Sequence, residues 1–284
     1  MTQPGVAESI RQRMGECSPA ERKVARVLLA SYPSAGFETV ARLAERSGVS
    51  GPTVVRFVTR LGYTGFPDFQ RALREDLDQR SASPSAIFAR DGLPGDPHVD
   101  LIERAGGIAV DTLRRTFDRL VPHDLDRCIG LLVEARRVFI AGGRYSGLLG
   151  QLLAQHLQQL RPSVSVLAPE PSARVAQVGD LTRHDLLVVF DYRRYEPHLL
   201  ALAAQAHRAH LPVVLFTDAW LSPIASDADV VLPSETEAPS PFDALTPVLA
   251  LVETVVAGVL ERLGPAATER MAAADRTAAE LGLY

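Results

Sequence analysis

The sequence predicts two joined domains: an all-α helix-turn-helix head and an α/β body built on a doubly wound parallel sheet. Three observations predict this. Residues 38–61 pattern as two amphipathic helices pinched around Gly48. Residues 79–97 hold clusters of Ser, Pro and Gly with no sustained period, the composition of a linker. Beyond them, short β-branched runs alternate with helical patterns, as in a parallel sheet covered on both faces. The chain, at 284 residues, also exceeds one ordinary small domain. The expected boundaries are 1–80 for the head, 81–100 for the linker and 101–284 for the body.

In chain order, Val6, Ile10 and Met14 recur at helical spacing. Ser18-Pro19-Ala20-Glu21 then forms a capping box with Pro at the first helical position. The helix it opens carries Val24, Val27 and Leu28 on one stripe, and it should end near Tyr32-Pro33, because the residue before Pro disfavours the α region. A helix over 68–78 places Phe69, Ala72, Leu73 and Leu77 on one face. After the linker, Leu101, Ile102, Ala105, Ile108, Ala109, Thr112 and Leu113 pattern as an amphipathic helix leading into the body. Strands are expected at 137–141, 164–167, 186–190, 213–217 and 230–232. Helices are expected at 146–160, 197–209, 244–263 and 265–281.

Composition narrows the function classes. Apolar residues make up 46% and charged residues 23%, enough for a real core and too much patterning for global disorder. No apolar run reaches the roughly 18–20 residues of a membrane helix, and the start of the chain lacks a signal-peptide core, so a cytoplasmic protein is expected. Residues 1–80 carry 12 Lys and Arg against 9 Asp and Glu, whereas the remainder carries 18 against 25. A mildly basic head on an acidic body suits a head that meets phosphates. Cys17 and Cys128 lie far apart without metal-ligand spacing, which favours inert thiols. His207 and His210 pattern as an i, i+3 pair on one helix without a third ligand, so neither a metal nor a cofactor is expected. The run after 137–141 also lacks the dinucleotide fingerprint, because Arg144 interrupts it.

Residues 38–61 hold the candidate DNA-binding surface. Val40, Leu43 and Ala44 face inward from the first helix, Gly48 falls where the turn needs positive φ, and Val49 plugs the angle. Ser50 or Gly51 caps the second helix, with Pro52 in its first turn. Val54, Phe57, Val58 and Leu61 form its apolar back. Thr53, Arg56 and Arg60 are expected opposite, where a recognition helix presents side chains to base edges and phosphates. An ordinary helical hairpin with solvated arginines is the alternative that spacing alone leaves open.

Several segments, in order, resemble the N-terminal domain of the RpiR/MurR family of bacterial regulators. They are Ser18-Pro-Ala-Glu-Arg-Lys-Val-Ala, Leu43-Ala-Glu-Arg-Ser-Gly-Val-Ser, Thr53-Val-Val-Arg-Phe and Leu61-Gly-Tyr-Thr-Gly-Phe-Pro-Asp-Phe. Pro67 departs from that pattern, standing where a Ser-like cap is usual. The resemblance implies DNA binding through Ser50, Thr53, Arg56 and Arg60. It also implies a C-terminal sugar-isomerase (SIS) domain of the kind that typically binds phosphosugars.

Gly142-Gly143-Arg144-Tyr145-Ser146 resembles the first SIS loop, in which backbone amides and a Ser hydroxyl hold an anion at a helix start. Two departures stand out. Arg144 replaces the loop's second Gly, and Asp191-Tyr192-Arg193-Arg194-Tyr195-Glu196 replaces the second loop, with Asp191 and Arg193 at serine positions. A carboxylate there repels phosphate, while the arginines attract it. The expected effector site is therefore Gly142, Gly143, Arg144, Ser146, Asp191, Arg193 and Arg194, with the arginines converging on a small, anionic, sugar-related metabolite. Ser240-Pro-Phe-Asp243 and Glu253 are candidate wall residues. The alternatives are a ligand-free scaffold with a rewired loop, and an isomerase using Glu196, Glu253 and histidines as acid and base. The partners expected are double-stranded DNA at an inverted repeat, a small-molecule effector and a second copy of the chain, as a homodimer or homotetramer.

Overall fold

The computed structural model describes residues 5–96 and 99–283. Residues 1–4 of the expected head, Pro97 and His98 of the expected linker and Tyr284 of the expected body lie outside the described residues. The head comprises α1 (Val6–Gln12), α2 (Pro19–Ala30), α3 (Val40–Ser47), α4 (Gly51–Arg60) and α5 (Phe66–Ser81). Their apolar stripes meet in one core that includes Ile10, Val24, Leu28, Leu43, Val54, Phe57, Val58, Phe69 and Leu73. Fully burying a side chain such as Phe57 stabilises the head by about 2 kcal/mol.

The predicted capping box is present. Ser18 Oγ accepts from the Glu21 amide, and the Glu21 carboxylate accepts from the Ser18 amide. Helix α5 starts two residues earlier than the apolar period indicates, because Pro67 fits its first turn.

The linker is more ordered than its composition indicates. Within it lies α6 (Pro84–Asp91), opened by Ser83, whose Oγ accepts from the Ala86 amide, and ended by Gly92 at φ 67°. The Ser, Pro and Gly that read as linker chemistry are here the start and stop signals of a two-turn helix.

In the body, α7 (Leu101–Arg119) and α8 (Pro122–Glu134) lead into a β/α alternation. Its elements are β1 (Val138–Gly142), α9 (Ser146–Leu160), β2 (Val164–Val166), α10 (Pro171–Gly179), β3 (Leu186–Asp191), α11 (Pro197–Arg208), β4 (Val213–Asp218) and β5 (Val230–Ser234). Helices α12 (Thr246–Leu263) and α13 (Pro265–Leu281) close the body. The period signalled neither α8 nor α10. Helix α11 ends at Arg208, and His210 lies beyond it at φ 54°, so the expected His207/His210 pair does not share one helix. Cys17 and Cys128 are both buried.

All five strands pair in parallel, in the order β2-β1-β3-β4-β5. Successive side chains alternate between two cores. Val138, Ile140, Val188, Phe190 and Phe216 face α8, α9 and α12, with the Phe190 and Phe216 rings stacked at 4.4 Å. Phe139, Leu187, Val189 and Leu215 face α11.

The chain reverses its direction of travel across the sheet between β1 and β3. In doubly wound sheets such a switch point opens a crevice at the C-terminal strand ends. In α7 only the later turns bury side chains, at Thr112 and Thr116, while Leu101 and Ile102, expected to face inward, are exposed.

Candidate functional site

Two regions carry the residues singled out by the sequence. In the head, Gly48 ends α3 at φ 60°, a left-handed conformation that glycine adopts without a Cβ penalty. The turn it makes seats α4 with Val54, Phe57, Val58 and Leu61 buried. The opposite side exposes Pro52, Val55, Arg56, Thr59 and Arg60.

Three expected contacts are arranged differently from the pattern. Thr53 is buried, its hydroxyl held 2.9 Å from Ser50 Oγ and accepting from Arg56 Nη2 at 3.0 Å. A residue turned back on its own helix start in this way does not present itself to a base. Ser50 occupies the N-cap position without a side-chain bond to the backbone amides. Arg60 donates through Nε to Glu21 at 3.1 Å, which ties α4 to the capping box of α2. That leaves Arg56 as the exposed guanidinium at the centre of α4, bonded among the described residues to Thr53 alone.

In the body, the loops after β1 and β3 face each other across the switch point. They line a cavity of about 520 Å³ with Gly143, Arg144, Tyr145 and Ser146 on one side and Asp191 to Arg194 with Glu196 on the other. Pro241, Phe242 and Asp243, anticipated as wall residues, close it, and Ala82, Pro84 and Ile87 of the linker segment add a further wall. Glu253 is exposed on α12 and does not line the cavity.

The first loop is tightly built. A Cβ on Gly142 would lie 2.6 Å from Gly147 Cα, so the β1 end and the α9 start approach as only glycine allows. Ser146 is buried and donates its hydroxyl to the Phe190 carbonyl at 3.0 Å, spending on β3 the proton expected for a ligand.

The second loop corrects the expectation for Asp191. Its carboxylate does not face the cavity as a free repelling charge. It is buried, accepting from Ser222 Oγ at 2.5 Å and from the Glu196 amide at 3.1 Å. Burial pushes its pKa up to about 6, opposed by those two hydrogen bonds and reinforced by the nearby Asp218 and Glu196 carboxylates.

All three arginines border the cavity, but each has a partner. Arg144 Nε lies 3.4 Å from Glu196 Oε1. Arg193 reaches Asp243 at 2.9 Å and lies over the Trp220 ring at 4.6 Å. Arg194 points Nε toward the Ala82 carbonyl at 3.5 Å and adopts φ 72°, in the left-handed region that favours glycine.

Trp220 in turn meets the head. A Cβ on Gly5 would lie 2.7 Å from Trp220 Cδ1, and a second cavity of about 780 Å³ opens beside this contact between head, linker and body. Glu196 was read only as an acid/base candidate. Its placement against Arg144 depends on two loops meeting across the sheet, and spacing carries no signal of that.

Comparison with known proteins bears on both regions. Residues 4–80 match the model of the helix-turn-helix domain of the rpiR family, and residues 131–258 match the SIS domain. The chain is 29% identical over 266 residues to the HTH-type transcriptional regulator HexR of Pseudomonas aeruginosa, covering 90% of each. It is 25% identical over 266 residues to HexR of Escherichia coli, covering 90% of this chain and 88% of that one.

Among solved structures, it resembles the sugar isomerase domain of an RpiR transcription factor from Sphaerobacter thermophilus. That match has TM-score 0.59 and 23% identity, covering 62% of this chain and 98% of that one. It also resembles the Vibrio vulnificus NanR protein complexed with ManNAc-6P, with TM-score 0.56 and 22% identity, covering 96% and 97%. Among the described residues no helix is long and apolar enough to cross a membrane. The chain thus joins an rpiR-family helix-turn-helix domain, at residues 4–80, to a C-terminal SIS domain, at residues 131–258.

Proposed function

We propose that this protein is a cytoplasmic, non-enzymatic transcriptional regulator that binds DNA through α4 and senses a small, anionic, sugar-related metabolite in the switch-point crevice. The observation that carries the reading is the shared wall. The segment joining the two domains contributes Ala82, Pro84 and Ile87 to the cavity, so a ligand there touches the piece of chain that positions the head. Only a ligand with different affinities for two placements of the head can shift it, and a wall that moves with the head supplies such a difference.

Relatives named as regulators support the DNA-binding half, and a structural neighbour complexed with an acetylated amino-sugar phosphate supports the ligand class. Exposed apolar side chains at Leu101, Ile102, Val110 and Phe117 of α7 suit a body that pairs with a second copy. Two copies would set two heads on an inverted repeat, with half-sites about one helical turn, or a multiple, apart.

The test is fluorescence anisotropy with DNA from upstream of the protein's own gene and with scrambled DNA of equal length. Arg56→Ala should lose discrimination between the two by about 1–3 kcal/mol. Arg60→Ala should weaken both alike, with a smaller salt slope. Equal discrimination by Arg56→Ala and the parent would remove α4 from base reading.

A further inference from the structure

The crevice lies where two helix starts converge. Loop residues 143–145 lead into α9, and loop residues 192–196 lead into α11. Glu196 holds the N-cap position of α11, yet its side chain makes no capping bond there. The carboxylate crosses to the other loop instead. Oε1 accepts from the Arg144 amide at 3.3 Å and lies 3.4 Å from Arg144 Nε, while Oε2 lies 3.4 Å from His198 Nδ1. A Cβ on Gly143 would meet Glu196 Cγ at 3.4 Å, so the glutamate arm fills the space directly over the first loop. Its backbone is anchored, because the Glu196 amide donates to the buried Asp191. The place beside the α9 start, where amides and the helix dipole favour negative charge, is thus filled by a carboxylate of the chain itself.

We infer that Glu196 is an internal competitor for the ligand's anionic group. A phosphate or carboxylate enters this seat by displacing the Glu196 side chain from Arg144, and the displaced carboxylate then opposes it at short range. Glu196 therefore sets how tightly anionic ligands bind and leaves neutral sugars unaffected. The inference rests on the reading that the crevice takes an anionic metabolite. It adds that anion affinity is held down by a single side chain, and that removing its charge raises affinity where most substitutions in a binding site lower it.

The experiment is calorimetric titration of the full-length chain at pH 7.5 with glucose 6-phosphate, inorganic phosphate and glucose. It compares the parent, Glu196→Gln, Glu196→Thr and Glu253→Gln, the last removing an exposed carboxylate outside the cavity. Glu196→Gln and Glu196→Thr should each bind both phosphates roughly tenfold more tightly, the worth of one charge-assisted hydrogen bond. Glucose binding should be unchanged throughout, and Glu253→Gln should behave as the parent.

Equal or weaker phosphate binding by both Glu196 variants, with melting temperatures like the parent's, would overturn the competition and leave the crevice as an anion site. Absence of anion binding in every variant at millimolar ligand would overturn the crevice reading along with it.

Discussion

Strand β3 is bracketed by two buried aspartates that meet opposite fates. At its N-terminal end, Asp185 accepts from Arg137 Nε at 3.0 Å and Nη2 at 2.8 Å, and from the Thr182 amide and hydroxyl at 2.8 and 2.9 Å. The Arg137 fork, helped by Thr182, holds its pKa well below the usual carboxylate range, despite a side chain that is 0% exposed. At the C-terminal end, Asp191 is as deeply buried but has a hydroxyl and an amide where Asp185 has a guanidinium, and its pKa rises to about 6.

Arg144 and Arg193, which border the same cavity, are spent elsewhere, on Glu196, Asp243 and Trp220. Burial alone therefore does not set the state of a carboxylate. The partner does, and the chain places full partners at the closed end of the sheet and partial ones at the end that opens onto the cavity.

The largest expected effect breaks the well-partnered end. Asp185→Ala should cost the body about 3 kcal/mol at pH 7, because it leaves the half-buried Arg137 fork and Thr182 without their acceptor. A depressed pKa contributes stability that is present above the unfolded value near 3.9 and lost as pH falls through the folded value. In urea melts, the gap between parent and variant should accordingly shrink below about pH 4. A gap that stays constant to pH 2 would mean the loss is packing and not charge.

The second prediction sharpens the contrast at the other end. With its pKa near 6, folded Asp191 holds a proton that the unfolded chain releases near pH 4. Its contribution to stability should thus be full below about pH 4, decline as pH rises to about 6, and stay flat above, by up to roughly 3 kcal/mol. Asp191→Asn should flatten that slope while keeping an acceptor for the Glu196 amide. An unaltered slope between pH 4 and 6 would place the titration on another group.

The smallest effect concerns the backbone of the same loop. Arg194→Gly should keep or raise stability, by up to about 1 kcal/mol, since glycine occupies φ 72° without the Cβ clash. A drop of several kcal/mol would show that the Arg194 side chain, through its approach to Ala82, holds the linker in place.

Much of the fold was legible because it follows from near neighbours in sequence. Continuous apolar runs marked all five strands to within a residue or two, Ser18 and Glu21 announced their helix, and Gly48 announced the turn before α4. Helix α6 stayed hidden because two turns bearing no buried residue have no period to detect. The sites were legible by residue type and less so by role. The spacing of Thr53, Arg56 and Arg60 predicts one exposed stripe, and the structure spends Thr53 on Ser50 and Arg60 on Glu21, 39 positions away. Asp191 stood out as foreign to the second loop, but its distant partner Ser222 decides which way it faces. Pairings between residues brought together only by the finished sheet leave no local trace.

The placement of Trp220 has a practical side. It is the single tryptophan of the chain, lying under the Arg193 guanidinium at the crevice and against Gly5 at the base of the head. Indole emission responds to neighbouring charge and to the entry of water. The molecule therefore carries its own optical reporter at the joint between its domains, readable without labels in a solution of the unmodified protein.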